Sequence, residues 1–401
     1  YGNQEVIATA TEQMNKLTFN HMFGGKTHQV AIDLADKLAD MIPMKDAVIS
    51  FGNSGSDAND THIKLLRYYH EAIGKPHCRK IIARERSYHG VTVAAASLTG
   101  LPVTQNHFDL PVDALGILRT DHPHYYRGKQ GEETEDEFVD RIVGNLEAMI
   151  LREGPDTIAA FIAEPITGAS GVIVPPQGYY QKVQSVLNRY DIMFWADEVI
   201  TGFGRTGSDF GCNTMGVESP DMMTFAKQLS SAYMPISASA IKRDMYSAMI
   251  DQTANAGAFG HGYTYSGHPV ACAVALKVLE IYQRDEIFQK AAVTGKYMQK
   301  RLAEFSDHPL VGEVRGSGLL GAIELVADKK TGAPFVGGTV GGYAQKMAQD
   351  SGLLIRAVAG SSLGFCPPLI ITEPQIDELI GKVSIALDKT LEHCHKHSLI
   401  M

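Results

Sequence analysis

Between Ala47 and Ala240 the chain repeats one pattern: a short apolar run, a polar or glycine-rich turn, then a helix-period stretch. The runs are Ala47–Phe51, Lys80–Ala83, Ile158–Ala163, Ile192–Ala196, Met222–Ala226 and Ile236–Ile241. Short apolar runs bounded by turns read as buried strands. Strands that alternate with helices restrict this region to an α/β fold, a mostly parallel central sheet flanked by helices. Ligands of such sheets sit beyond the carboxyl ends of the strands, and most polar motifs of this chain follow directly after the runs.

On either side the pattern differs. Residues 3–17 read as a helix with Val6, Ile7, Ala10, Met14 and Leu17 near one face, and Val30–Met41 as a second, stopped by Pro43. After Pro269 come helices over Ala271–Gln283 and Ile287–Phe305, a hairpin-like Val314–Gly318 leading into Leu319–Leu325, and a helix over Glu373–His393. We expect a large domain over residues 30–268, a smaller α+β domain over 269–401, and an N-terminal segment, 1–29, packing with the small domain.

With 44% apolar and 20% charged residues, the 401-residue chain has the composition of a globular protein with a sizeable core. A net charge of −9 argues against nucleic acid and anionic membranes as partners. No apolar run is long enough to span a bilayer. Five scattered cysteines without a C-x-x-C pair suggest reduced thiols and a cytoplasmic location. The chain opens at Tyr1 rather than at a methionine, so an N-terminal stretch is expected to precede it.

Two charged residues end adjacent strands of the pattern: Asp197 after Ile192–Ala196, and Lys227 after Met222–Ala226. A carboxylate and an amine are costly to bury there without chemistry or a partner. Pyridoxal phosphate would use both, the amine as a Schiff base and the carboxylate against the protonated pyridine nitrogen. A lone Asp such as Asp197 is more commonly a helix cap or half of a salt bridge. Gly52-Asn53-Ser54-Gly55-Ser56, between a strand and a helix, can close backbone N–H groups and hydroxyls around a phosphate; its plain alternative is a flexible turn. Ser87-Tyr88-His89-Gly90 offers an aromatic that could stack on a planar cofactor, although such pairs occur more often in cores or on surfaces.

Other motifs argue less. Gly202-Phe203-Gly204-Arg205-Thr206-Gly207 spells the G-x-G-x-x-G of dinucleotide sites, but five residues separate it from its strand and the position twenty beyond Gly207 is Lys227 rather than an acid. A nicotinamide site is rejected. His261–Pro269 is a polar loop at the domain change, in which Thr264 could donate to a phosphate oxygen. His393-Cys394-His395-Lys396-His397 fits no strong zinc spacing and reads as a solvated tail, and His122–Tyr126 reads as a loop. No metal site is expected.

Taken together, and in order, Asn53–Ser56, Tyr88–Gly90, Glu164-Pro165-Ile166, Asp197-Glu198-Val199, Gly202–Gly207, Ala226-Lys227 and Thr264–Pro269 resemble the class III (ω-) aminotransferases of fold type I. The resemblance implies Lys227 as the Schiff-base lysine, Asp197 as the pyridinium partner, and Val199 and Tyr88 against the two ring faces. Ser54, Gly55 and Ser56 would hold the phosphate, with Tyr263 and Thr264 at the same site and Thr264 reaching it from the partner subunit of a homodimer or dimer of dimers. His89 would also touch the cofactor, and Glu164 would support its site. In the ornithine and γ-aminobutyrate branches a glutamate five positions after the Glu of Glu-Pro-Ile pairs with an arginine as a switch; here that position is Ala169. The resemblance is thus to the branch that uses pyruvate, whose mobile arginine corresponds to Arg356. A planar guanidinium suits a two-point grip on a carboxylate; the rival role is a surface salt bridge. Gln228 stands where a glycine commonly follows the lysine, and the aromatic pocket wall of the family comes from a segment ahead of Tyr1.

The expected function is therefore transfer of an amino group from an amine or ω-amino acid to pyruvate by ping-pong half-reactions. An aminomutase or a decarboxylating transaminase would share the motifs. A silent binding protein of the same fold would not need Lys227, and a cofactor-free Schiff-base lyase would leave Asp197 and Gly52–Ser56 without work.

Overall fold

The computed structural model describes residues 1–400. Seven strands form the central sheet: β1 (Ala47–Gly52), β2 (Lys80–Arg84), β3 (Ile117–Thr120), β4 (Ile158–Ala163), β5 (Met193–Asp197), β6 (Met222–Phe225) and β7 (Ser237–Lys242). Their spatial order is β1-β7-β6-β5-β4-β2-β3, and β7 alone runs antiparallel to its neighbours. Every residue of β4 and of β6 is buried, as expected of strands covered on both faces. Because β7 is reversed, its amino end lies at the edge where the parallel strands have their carboxyl ends, which brings Met234-Pro235-Ile236 to the ligand side.

A smaller antiparallel sheet contains β8 (Val311–Ser317), β9 (Leu320–Asp328), β10 (Ala333–Pro334), β11 (Arg356–Val358) and β12 (Ser362–Phe365), with β9 pairing β8, β10 and β12. The expected hairpin is the β8–β9 turn. Helix α1 (Gln4–Lys16), capped by Asn3, and helix α2 (Gln29–Met41) both pack against the helix Pro269–Arg284.

Strand β3 escaped the sequence reading because Ile117-Leu118-Arg119-Thr120 holds only two apolar residues and lies at the sheet edge. The tail reading of His393–His397 is corrected. The last helix continues to Lys396 because Leu387, Thr390 and Cys394 prolong its buried face at helical spacing, and the His393 ring stacks on Tyr343 at 3.9 Å. The loop reading of His122–Tyr126 is corrected too: a short helix starts at Tyr125, and His124 is buried.

Candidate active site

The carboxyl ends of β1, β2, β4, β5 and β6 open onto one cavity of about 420 Å³. Asn53, Ser54, Gly55, Ser56, Tyr88, His89, Glu164, Asp197, Val199 and Lys227 all line it. Residues far apart in sequence meet there because each follows its own strand.

Asp197 ends β5 and is only 3% exposed. Its Oδ2 accepts from His89 Nδ1 at 2.9 Å and from Asn59 Nδ2 at 3.1 Å, and its Oδ1 from the Val199 N–H at 3.1 Å. Burial pushes its pKa up, but these donors outweigh burial and hold the carboxyl below its ordinary range. An ionised carboxylate only accepts, so His89 Nδ1 carries the proton. The other ring nitrogen, Nε2, is buried without a protein partner.

Glu164, fully buried, clamps two turns: Oε1 takes the Tyr88 N–H and Oε2 the Gly168 N–H, each at 2.9 Å. Burial raises its pKa, with the nearby Asp197 adding to the rise. Burial likewise raises the Tyr88 phenol, against the charge of Arg356.

Ser54 caps helix α3 (Gly55–Ala72) through its hydroxyl, and the Asp57 carboxylate takes the N–H groups of Asn53 and Ser54 in return, each at 3.0 Å. The N–H groups of Gly55 and Ser56, at the start of the helix, have no intrahelical acceptor and sit at its positive end. Gly90 has φ 131°, and a Cβ there would lie 2.5 Å from Ser56 Oγ, so only glycine allows this approach.

Lys227 follows β6 with φ 42°, a conformation uncommon for a residue with a side chain. Its side chain is open to the cavity yet crowded by protein atoms. That crowding lowers its pKa, while Asp197 and Glu164 pull it back up. Tyr282 of the helix Pro269–Arg284 donates to the Gln228 carbonyl at 3.0 Å and pins the turn in which the glycine is missing.

Three named residues lie outside the cavity of a single chain. The Tyr263 hydroxyl donates to the Asp57 carbonyl at 3.1 Å and its ring lines a separate groove. Thr264 is exposed. Arg356, in β11, is exposed and makes no ion pair among the described residues. Conversely, the sequence reading missed Asn59 and Arg84, both buried: Arg84 donates to the Glu164 carbonyl at 2.6 Å. A polar residue on an otherwise core-facing helix side was the only signal for Asn59.

Glu198 turns away from the cavity. It takes the N–H groups of Gly211 and Cys212 at 2.9 and 2.7 Å. The G-x-G-x-x-G stretch is a joint between the two sheets: the Leu319 N–H donates to the Arg205 carbonyl at 3.0 Å, and Ser317 Oγ to the Thr206 carbonyl at 2.8 Å. His124, Glu313 and Glu324 bring ligand-type atoms within 4.8 Å of one another, but Arg315 Nη1 occupies both carboxylates at 2.5 and 2.6 Å, making the group an ionic joint.

The cavity meets each need of pyridoxal phosphate: an amine for the aldehyde, an ionised carboxylate for the ring nitrogen, free N–H groups at a helix start for the phosphate, and an aromatic side chain beside the ring.

The class-III aminotransferase family model matches residues 1–387. A probable γ-aminobutyrate transaminase 3 of Oryza sativa subsp. indica, described as mitochondrial, is 46% identical over 98% of this chain and 76% of its own length. A vanillin aminotransferase of Capsicum chinense is 44% identical over 96% of this chain and 83% of its own. An ω-transaminase from Pseudomonas jessenii, solved in complex with PMP, superposes with a TM-score of 0.95 at 48% identity, covering 98% of this chain and 86% of that one. The chain belongs to the class III aminotransferases, and is a pyridoxal-phosphate-dependent enzyme of fold type I.

Proposed function

We propose that this aminotransferase moves an amino group from an amine or ω-amino-acid donor to pyruvate, giving alanine, by a ping-pong mechanism. The observation that carries the acceptor is Arg356: an exposed guanidinium with no ion-pair partner among the described residues, close enough to the cavity for its charge to act on Tyr88. Ala169, in the turn beside Glu164, provides no carboxylate to neutralise it. A solved transaminase described as bound with L-ala is 47% identical, with a TM-score of 0.95, and supports the alanine–pyruvate pair. The γ-aminobutyrate relatives support an ω-amino acid among the donors.

Pyridoxal phosphate, when bound, supplies the aldehyde that takes the amino group and a ring that accepts electrons from the donor carbon. The Lys227 amine, its proton affinity lowered, takes the proton from the donor carbon and returns it at the other end of the transfer. Asp197, held ionised, keeps the proton on the ring nitrogen. Arg356 grips the keto-acid carboxylate.

The active unit in this reading is a homodimer or a dimer of dimers. A second groove of about 590 Å³ supports it, with Phe23, Ile32, Tyr246 and Ile250 left exposed along it. In this reading Thr264, exposed and next to the groove residue Tyr263, would reach the site of a partner subunit. We also propose a cytoplasmic location, supported by five free cysteines. No helix among the described residues is long and apolar enough to cross a membrane.

Arg356→Ala should raise the KM for pyruvate roughly tenfold to a hundredfold, the worth of a charge-assisted contact, and leave the half-reaction with a carboxylate-free amine nearly unchanged. Following the visible absorbance of the holoenzyme with amine and then with pyruvate separates the two. An unchanged pyruvate KM, or no return of the band with pyruvate, would overturn the acceptor assignment.

A further inference from the structure

We propose that Asn59 is a positioning residue for the reaction, the last link of a buried relay that turns the Asp197 carboxylate toward the ring nitrogen of the cofactor. Asn59 sits on helix α3 with no exposed surface. An amide in such a place is costly unless every group is paired, and here each one is. Its Nδ2 donates to the His89 carbonyl at 2.6 Å and to Asp197 Oδ2 at 3.1 Å, while its Oδ1 accepts from Thr224 Oγ1 at 2.8 Å.

The relay has only one possible direction. It begins at Trp195, the one tryptophan of the chain, whose Nε1 can only donate and gives its proton to Thr224 Oγ1 at 2.8 Å. The His89 carbonyl and the ionised Asp197 only accept, so the NH₂ group of Asn59 must face them and cannot flip. Its Oδ1 therefore faces Thr224, whose hydroxyl spends its single proton there. Thr224 stands opposite Asp197 in the β5–β6 register, so the relay is anchored on the two strands that deliver Asp197 and Lys227.

Counting acceptor sites shows what the relay achieves. An ionised carboxylate has about four. His89 and Asn59 fill those of Oδ2, and the Val199 N–H fills one on Oδ1. The site left on Oδ1 is the one available to a ring N–H in the cavity. Without Asn59 the carboxylate could rotate toward the vacated space. An aspartate at position 59 would set a second carboxylate against Asp197 Oδ2 and weaken its charge instead. The other charged or titratable groups around Asp197 are His89, Glu164, Lys227, His62 and Tyr88, and none of them needs to change in the test.

The experiment uses holoenzymes reconstituted with ring-¹⁵N pyridoxal phosphate: wild type, Asn59→Ala, Thr224→Val and Thr224→Ser. It reads cofactor dissociation by equilibrium dialysis, ring-nitrogen protonation by ¹⁵N chemical shift across pH, and thermal midpoint. Asn59→Ala should bind the cofactor roughly tenfold to a hundredfold more weakly, the worth of a hydrogen bond to a charged group, and the ring nitrogen should lose its proton at lower pH. Thr224→Val should shift both readouts in the same direction by less, and Thr224→Ser should restore them. Wild-type affinity and protonation in Asn59→Ala, whatever its thermal midpoint, would overturn the proposal. Should Asn59→Ala fail to fold, equal readouts for Thr224→Val and Thr224→Ser would overturn it. None of these readouts depends on which keto acid is the acceptor.

Discussion

Replacing Lys227 with alanine should leave a folded protein that still binds pyridoxal phosphate and has no measurable turnover. The phosphate cradle at Gly55–Ser56 and the Asp197 carboxylate are independent of Lys227, so non-covalent binding survives. What disappears is both the amine that anchors the cofactor and the base that moves the proton. General acid–base catalysis alone is worth roughly 10²–10⁴-fold, so the loss should be at least of that size. Single-turnover absorbance with saturating amine checks it; turnover within tenfold of wild type would remove Lys227 from the mechanism. Stability should move the other way. Crowding lowers the folded-state pKa of Lys227 below the 10.5 of a free lysine. Between the folded value and 10.5 the unfolded chain therefore binds more protons, and stability rises with pH across that window. Lys227→Met should flatten this rise in the cofactor-free protein and be no less stable than wild type at neutral pH, as denaturation midpoints would show.

Arg315→Met should have the largest effect on stability. This arginine of β8, with its side chain 6% exposed, ties three elements together. Its Nε donates to the Gly171 carbonyl at 2.8 Å, its Nη1 to Glu313 and Glu324, and its Nη2 to Ser362 Oγ at 3.2 Å. Gly171 adopts φ 101°, and a Cβ there would come within 2.9 Å of Arg315 Nη2, so glycine makes room for the guanidinium. Removing one partner of a buried ion pair costs roughly 3–5 kcal/mol, because the opposite charge remains buried. Arg315→Lys should recover only part, since a point charge cannot replace the fork. Burial pushes the Glu324 pKa up, but Arg315 and Arg127 more than offset this and hold it below 4.5. The joint therefore contributes fully above 4.5 and is lost as pH falls through the lower folded value. In Arg315→Met the loss should begin at higher pH. Urea midpoints measured from neutral to acid pH test this, and an unchanged midpoint would show the joint to be dispensable.

The α/β architecture was legible because its central strands are dense apolar runs with a polar residue at the functional end. Asp197 and Lys227 stood out for that reason: charges at the ends of buried strands demand an explanation. Asn59 did not stand out, since an asparagine on a helix is unremarkable until partners 30, 138 and 165 positions away are known. Arg315 read as part of a hairpin because its partners come from three separate segments. Arg356 was named through family resemblance and Thr264 first as a phosphate donor in a polar loop, and a single chain leaves both outside the cavity. Periodicity did not show that β7 is reversed, because an apolar run reads alike in either direction. His393–His397 misled by composition, when the spacing of Leu387, Thr390 and Cys394 already continued the helix.

The joint formed by Gly202–Gly207 has a consequence for how the molecule comes apart. Phe203 packs against Phe210 and Phe225 in the core beneath β6, while Arg205 and Thr206 bond to β8 and the turn between β8 and β9. One short turn thus touches both sheets at once. Helices α1 and α2 add to the coupling by packing on the helix Pro269–Arg284. Neither sheet can lose its structure without exposing apolar surface of the other, so calorimetry of the cofactor-free protein should trace a single cooperative transition rather than two melting units.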